Sequence, residues 1–221
     1  MRTFFEAIQL ILSAQLRNSG HGLVDATFAK QRIMRRIGRD PSRAVDDDYL
    51  RGRWNYLADL QEMARYAVIG GYCRHSGNVS TVLDLGCGTG ILRRWLPKEE
   101  FSYVGVDISN LAIEAARRDW TDTGTTFVAM DAASFRPDCK FDAIIFNEVL
   151  YYFEHPAEVL TSFAAFLEKN GRFVISLWDS ADSRLAWRRS RGSLEVVDEV
   201  HIRHGSGLCW HIRLCKPRVR A

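Results

Sequence analysis

The stretch Val82-Leu83-Asp84-Leu85-Gly86-Cys87-Gly88-Thr89-Gly90 (VLDLGCGTG, residues 82–90) decides the fold. An apolar run passes into three glycines, and a carboxylate, Asp84, stands just before the first of them. Glycine turns after strands let the backbone approach a ligand closely. A dinucleotide fingerprint would need GxGxxG, but the third glycine comes one residue early and Ile91 holds the fingerprint position. Asp84 separates the readings further. A diphosphate at a helix N-terminus is held by backbone N–H groups and the helix dipole, and a nearby carboxylate would repel it. An ammonium or sulfonium ligand would be attracted to that carboxylate. The stretch therefore predicts a cationic cofactor over the glycines.

Outward from this stretch, buried strands alternate with helices. VSTVLDL (79–85), YVGVDI (103–108), TTFVAMD (125–131), FDAIIF (141–146) and RFVISLW (172–178) read as strands. Thr89–Leu96, Asn110–Asp119 behind an N-cap at Ser109, and Pro156–Lys169 read as helices, the last closed by Asn170-Gly171. Continuous apolar strands separated by helices mean a parallel sheet covered on both faces. SRLAWRRSR (183–191) suggests a short basic helix. LEVVDEVHIRH (194–204) and LCWHIRLCK (208–216) alternate around Gly205-Ser206-Gly207 and predict a hairpin closing the sheet. Upstream, Leu50, Trp54, Leu57, Leu60, Ala64, Ala67 and Val68 recur at helical steps and predict one helix over 49–75.

Asp107 and Asp131 end the second and third strands. With Asp84, they put an acid at the carboxyl end of three successive strands, where open α/β sheets bind ligands. Asp107 can accept both hydroxyls of a ribose. Asp131 can accept from an adenine amino group, with the backbone N–H of Ala132 beside it.

VLDLGCGTG, VGVDIS, FVAMDA, FDAIIFNEVLYYF and LEKNGRFVISLW resemble the successive motifs of class I S-adenosylmethionine-dependent methyltransferases. The resemblance covers about residues 49–216. It implies a Rossmann-like α/β fold: a seven-stranded sheet of order 3-2-1-4-5-7-6, strand 7 antiparallel, with helices on both faces. It implies S-adenosyl-L-methionine as cofactor and S-adenosyl-L-homocysteine as product. The methionyl end would meet Asp84, Gly86, Cys87, Gly88 and Gly90, the ribose Asp107 and Ile108, and the adenine Asp131 and Ala132. Asn147 would add backbone contacts to the methionyl ammonium. Residues 1–48 form a helical N-terminal extension that inherits nothing from the family, ahead of a methyltransferase domain over 49–221.

The segment after strand four carries the candidates for chemistry: Glu148, Tyr151 and His155. A hydroxyl acceptor would need a general base, and His155 titrates near neutral pH. An amine acceptor would need orientation, which Glu148 or Tyr151 could give. The aromatics there could equally pack, His155 could simply start a helix before Pro156, and Glu148 could be solvated. FNEV stands where base-methylating enzymes carry NPPY or DPPY, and the paired-glutamate loop of arginine methyltransferases is absent. FNEVLYYF is similar to the corresponding segment of nodulation-type N-methyltransferases, which act on amino-sugar-bearing acceptors. These features favour N- or O-methylation of a small molecule. Methylation of nucleic acid or protein through the basic stretch Ala26–Arg43, and cofactor binding without catalysis, are the alternatives.

The 221-residue chain has a net charge of +3, too small to argue for nucleic acid as a partner. No apolar run reaches a membrane span of roughly 18 residues. The N-terminal MRTFFEAIQLILSAQL reads as an amphipathic helix. Five cysteines without a CxxC pair give no metal framework and favour reduced thiols in the cytoplasm. No motif specifies the acceptor or the oligomeric state.

Overall fold

The computed structural model describes residues 40–218, so most of the expected extension and of the basic stretch falls outside the described residues. The chain falls into two compact units, residues up to Tyr56 and residues from Leu57 onward. In the first, helix α1 (Ser42–Leu50) follows Pro41 at its N-cap, and the Asp40 carboxylate just before it accepts the Ser42 N–H at 2.9 Å and the Ser42 hydroxyl at 2.7 Å. Arg53 Nη1 donates to Asp48 at 2.8 Å, and the Trp54 ring lies 6.1 Å from Tyr49 and 6.4 Å from Tyr56.

The second unit is built on a seven-stranded sheet of order β3-β2-β1-β4-β5-β7-β6. Its strands are β1 (Thr81–Leu85), β2 (Ser102–Asp107), β3 (Thr125–Ala129), β4 (Phe141–Asn147), β5 (Leu167–Trp178), β6 (Leu194–Arg203) and β7 (Cys209–Pro217). The first five pair in parallel, and β7 runs antiparallel to both β5 and β6. The expected order and the closing hairpin are both present.

Both faces of the sheet are apolar because both are covered. One face packs Val82, Ile145, Val174, Trp210 and Ile212 against Tyr66, Ile69 and Cys73 of α2 (Leu60–His75) and Ile113 and Ala116 of α3 (Asn110–Asp119). On the other, Phe146 meets Phe153, Phe163 and Phe173 edge-on at 5.8–6.5 Å, beneath α4 (Pro156–Ala164). Helix α5 (Ala181–Ser190) packs beside α4. Each fully buried side chain of this size contributes about 1.5–3 kcal/mol, so the paired apolar faces dominate the stability of the unit.

Three local expectations differ. The single helix over 49–75 is broken: α1 ends at Leu50, Gly52 turns left-handed at φ 65°, a 3-10 turn covers Asn55–Ala58, and α2 starts after an extended Asp59. Its expected apolar face is also wrong. Leu60 is 86% exposed, Ala64 and Ala67 are exposed, and the buried face carries Glu62, Arg65, Tyr66, Ile69, Gly70 and Cys73. That face keeps helical spacing, but it buries an ion pair. After the glycine turn, the expected helix is a 3-10 turn, Ile91–Trp95. Asn170-Gly171 does not cap a helix. Helix α4 stops at Ala164, and this pair lies inside β5, where the register with β4 shifts between Phe141 and Ala143.

Gly105, in the middle of β2, faces Asp84 of β1 in register. A Cβ there would lie 2.7 Å from Phe127 Cδ1 and 2.8 Å from Cys87 Sγ. Gly105→Ala must push apart the ring and the thiol that close this corner. It is expected to destabilise the protein by about 1–3 kcal/mol. Urea denaturation followed by circular dichroism checks this, and an unchanged midpoint would show that the corner has slack.

Candidate active site

The glycine turn is hung from the end of β2. Gly86 and Cys87 donate their N–H groups to the Val106 carbonyl at 2.7 and 3.1 Å. Gly88 N–H donates to Asp107 Oδ2 at 2.9 Å, and Ser109 N–H donates to Oδ1 at 2.8 Å. These bonds fix the orientation of the Asp107 carboxylate. Gly86, Gly88 and Gly90 all have left-handed backbones, with φ of 74°, 56° and 75°. At Gly86 a Cβ would also sit 2.7 Å from Val149 Cγ2, so a side chain is excluded on two grounds. Burial pushes the Cys87 thiol well above its usual range, with Asp107 and Asp84 adding to the shift, so it stays a thiol.

Asp84 is fully enclosed on the face covered by α2. Tyr103, two residues before Gly105 and on the same face of β2, donates its hydroxyl to Asp84 Oδ2 at 2.6 Å. Oδ1 is out of solvent and has no hydrogen-bond partner among the described residues. Burial pushes the Asp84 carboxyl up to about 7, and the charge of Asp107 adds to this, while the Tyr103 bond and Arg65 pull it down. A buried acceptor without a donor is costly, and an ammonium group is the ligand chemistry that would satisfy it. The glycine turn and Asp84 thus fit the methionyl end of the cofactor that the motifs imply.

Asp131 lies two residues beyond β3, in a turn. Its Oδ1 accepts the Ala133 N–H at 3.0 Å, its carbonyl accepts the N–H groups of Ser134 and Phe135, and Ala132 is buried. Met130 N–H donates to the Asp107 carbonyl at 2.8 Å, which ties this turn to the end of β2. Ile108 is half-buried immediately after Asp107.

At the end of β4 the chain turns sharply. Glu148 has φ 57°, and no other described residue apart from glycine has positive φ. Such a conformation costs about 1–3 kcal/mol and is held only where the surroundings over-determine it. Here Glu148 N–H donates to the Ser176 carbonyl at 2.8 Å, and Oε2 accepts the Trp178 N–H at 3.1 Å and the Tyr151 hydroxyl at 3.2 Å. Oε1 has no partner among the described residues and is out of solvent. The expectation that Glu148 might be solvated fails for its carboxylate. Burial pushes it up to about 7, against the pull of Arg65 and the Trp178 bond.

His155 is exposed. It precedes α4 without a side-chain cap, and its carbonyl accepts the N–H groups of Glu158 and Val159. Tyr151 is buried and joined to Glu148, whereas Tyr152 packs 4.8 Å from the Tyr151 ring.

Sequence reasoning missed Arg65, Glu62 and Tyr103. Arg65 is buried in α2 and donates Nε to Glu62 Oε2 at 2.8 Å, Nη1 to Asn147 Oδ1, and Nη2 to the Tyr66 hydroxyl at 2.9 Å. Burial opposes its charge, but the surrounding Tyr66, Glu148 and Glu62 outweigh burial and raise its pKa. Burial raises the Glu62 carboxyl, and Arg65 offsets part of that. The available signal was the spacing Glu62, Arg65, Tyr66, Ile69, Cys73, a second helical face on the same segment.

The family model for a methyltransferase domain matches residues 24–211. Nodulation protein S of Bradyrhizobium diazoefficiens is 25% identical over 189 residues, spanning 79% of this chain and 88% of that protein. Among solved structures, the N-methyltransferase NodS from Bradyrhizobium japonicum with S-adenosyl-L-homocysteine superposes with TM-score 0.63 at 22% identity. It covers 75% of this chain and 92% of that one. The 1,6-didemethyltoxoflavin-N1-methyltransferase of Burkholderia thailandensis gives TM-score 0.64 at 19% identity, over 78% and 85% of the two chains. With the family match running through the glycine turn, the acids and the closing hairpin, this chain belongs to the methyltransferase-domain family, as an S-adenosylmethionine-dependent methyltransferase of the class I fold.

Proposed function

We propose that this chain methylates a nitrogen of a small amine-bearing acceptor, with Glu148 as the group that meets the amine. One observation carries the reading: a left-handed glutamate whose carboxylate is out of water, held through Oε2, with Oε1 unpartnered. An ammonium is the small group that satisfies such an oxygen. The names of the nodulation and toxoflavin relatives, both N-methyltransferases, support the same atom. The five thiols are all free, which supports a reducing, cytoplasmic setting.

Asp84 with Gly86, Cys87, Gly88 and Gly90 would hold the methionyl end of the cofactor, Asp107 with Ile108 the ribose, and Asp131 with Ala132 the adenine. Asn147, its side chain held by Arg65, would present its backbone to the same end. Arg65, buried beside Asn147, would be the countercharge there for the methionyl carboxylate. The bound cofactor supplies a methyl group activated by its sulfonium. The remaining work belongs to the chain. An ammonium has no lone pair, so its proton must leave first, and Glu148 Oε1 accepts it. A carboxyl near pH 7 is half ionised at neutral pH, which is the poise of a general base. Tyr151 and the Trp178 N–H hold Oε2 and so aim Oε1. His155, exposed at the start of α4, has no part in this step.

Product analysis with methyl-labelled cofactor and a panel of amino sugars and simple amines tests the acceptor atom; label found only on oxygen would overturn the reading. Glu148→Gln keeps the shape and both bonds to Oε2. It is expected to lower kcat by about 10²–10⁴, to remove the acid limb near pH 7, and to leave S-adenosylhomocysteine affinity unchanged. Full turnover with an intact acid limb would remove Glu148 from the reaction.

Asp84 gives an independent pH signature. Burial pushes its carboxyl in the folded protein up to about 7 from an ordinary 3.8, so the ionised form that a cationic ligand needs is scarce in acid. Calorimetric affinity for S-adenosylhomocysteine should therefore rise with pH, by up to about tenfold per unit below 7, and level off above it. Asp84→Asn should bind more weakly and without that slope. A mutant with wild-type affinity across the range would show that Asp84 does not meet the ammonium.

A further inference from the structure

The hairpin that closes the sheet carries a side-chain cluster that methyl transfer does not use. Glu199 and His201 stand two residues apart on β6 and so project from one face. Strand β7 sets His211 directly opposite His201 and Arg213 opposite Glu199. The two imidazole rings lie 4.3 Å apart. Glu199 Oε1 lies 2.9 Å from His201 Nε2 and 3.9 Å from His211 Nδ1. One ligand atom from each of the three residues lies within 4.8 Å of the other two.

The geometry points to a surface site for a divalent transition cation of the Zn²⁺ class, held by Glu199, His201 and His211. Donor atoms around tetrahedral zinc stand about 3.3–3.5 Å apart, given bonds of about 2.0–2.2 Å. Rotamer adjustments of exposed side chains cover the remaining difference. The donor set of two imidazoles and a carboxylate suits Zn²⁺, Ni²⁺ or Cu²⁺ over Mg²⁺ or Ca²⁺, which prefer oxygen. The side chains are 25–56% exposed, so water can reach the fourth position.

Arg213 is the competitor. Its Nε donates to the same Glu199 Oε1 at 2.7 Å, and its guanidinium lies 4.1 Å over the Trp187 ring of α5. That ring keeps a partner for Arg213 when Glu199 turns to a cation. Affinity is thus set by a contest between Arg213 and the metal for one carboxylate. A bound ion would tie edge strand β6 to β7 across their register and stabilise the hairpin.

Titrating the full chain with ZnCl₂ in a calorimeter, with MgCl₂ as control, tests the site. One saturable equivalent of Zn²⁺ is expected, with a raised melting temperature and no response to Mg²⁺. His211→Ala and Glu199→Gln should each weaken Zn²⁺ by more than about tenfold, since even an outer partner of a metal site is worth that much. Arg213→Gln should tighten Zn²⁺, a gain that incidental binding at other histidines or thiols would not show. Circular dichroism confirms that each variant is folded. No saturable binding, or binding that neither His211→Ala nor Arg213→Gln alters, would overturn the site.

Discussion

Two carboxylates taken out of water at the ends of neighbouring strands are the constraint around which the sheet's carboxyl edge is arranged. Asp84 on β1 and Glu148 just past β4 each have one oxygen tied and one without a partner. Among the described residues neither is bonded directly to a cation. Arg65 acts on both through its charge, while its hydrogen bonds go to Glu62, Asn147 and Tyr66. A buried charge without close pairing shifts toward its neutral form rather than bear the full desolvation cost. Both groups are pushed to about 7, the result of that partial compensation.

The opposite edge of the same strands shows what full compensation looks like. Asp142, near the start of β4, collects four donors on Oδ2: the N–H groups and the hydroxyls of Ser80 and Thr81 at 2.9–3.0 Å. Burial works against its ionised form, but these donors outweigh it and hold its carboxyl below the usual range. Asp142 pins β1 to β4 and is complete. The fold can thus satisfy a carboxylate where it serves as a joint. It leaves Asp84 and Glu148 short only at the end where parallel strands open onto a crevice. The left-handed backbone of Glu148 belongs to the same pattern: local cost gathers at this edge and is borne by the apolar faces elsewhere.

The features legible in the sequence were those carried by period and by glycine. The order of buried strands, the glycine turn, the strand-end acids and the alternating hairpin each follow from local pattern, and the structure has them. The features that were not legible depend on burial against other elements. Helix α2 has two candidate faces. The apolar one is exposed at Leu60, and the one bearing Glu62 and Arg65 is inside, because Asn147 and Tyr66 complete the guanidinium. Asn170-Gly171 has the composition of a helix cap and serves as an irregularity within β5, since β4 lies alongside to pair with it. Glu148 has no sequence mark of its strain; the Trp178 N–H, which arrives from the end of β5, joins the hydroxyl of nearby Tyr151 in enclosing it. Glu199, His201 and His211 escape motif reading because cross-strand register, not spacing, brings the third residue in.

A shift in the same direction does not make Asp84 and Glu148 interchangeable, and the way each is held separates them. Asp84 sits within a strand, and its tied oxygen is closed by Tyr103, whose own hydroxyl is buried and pushed well above its usual range. Among the described residues that pair leaves Oδ1 alone for a ligand. It is suited to hold charge, not to exchange it. Glu148 sits after its strand, in a residue that remains partly exposed as a whole, and its tied oxygen is held by a backbone N–H and by Tyr151. Its free oxygen, Oε1, is out of solvent like that of Asp84, so under the proposed reading the acceptor itself brings the proton. Arg65 couples the two, because each carboxylate is stabilised by the same cation. A cationic ligand that ionises Asp84 draws on the field that also favours ionised Glu148, while its own positive charge replaces part of it. Under the proposed reading Asp84, held by a side chain within β1, would anchor the cofactor, and Glu148, held by a backbone N–H just past β4, would take the acceptor's proton, a division that follows from where β1 and β4 end.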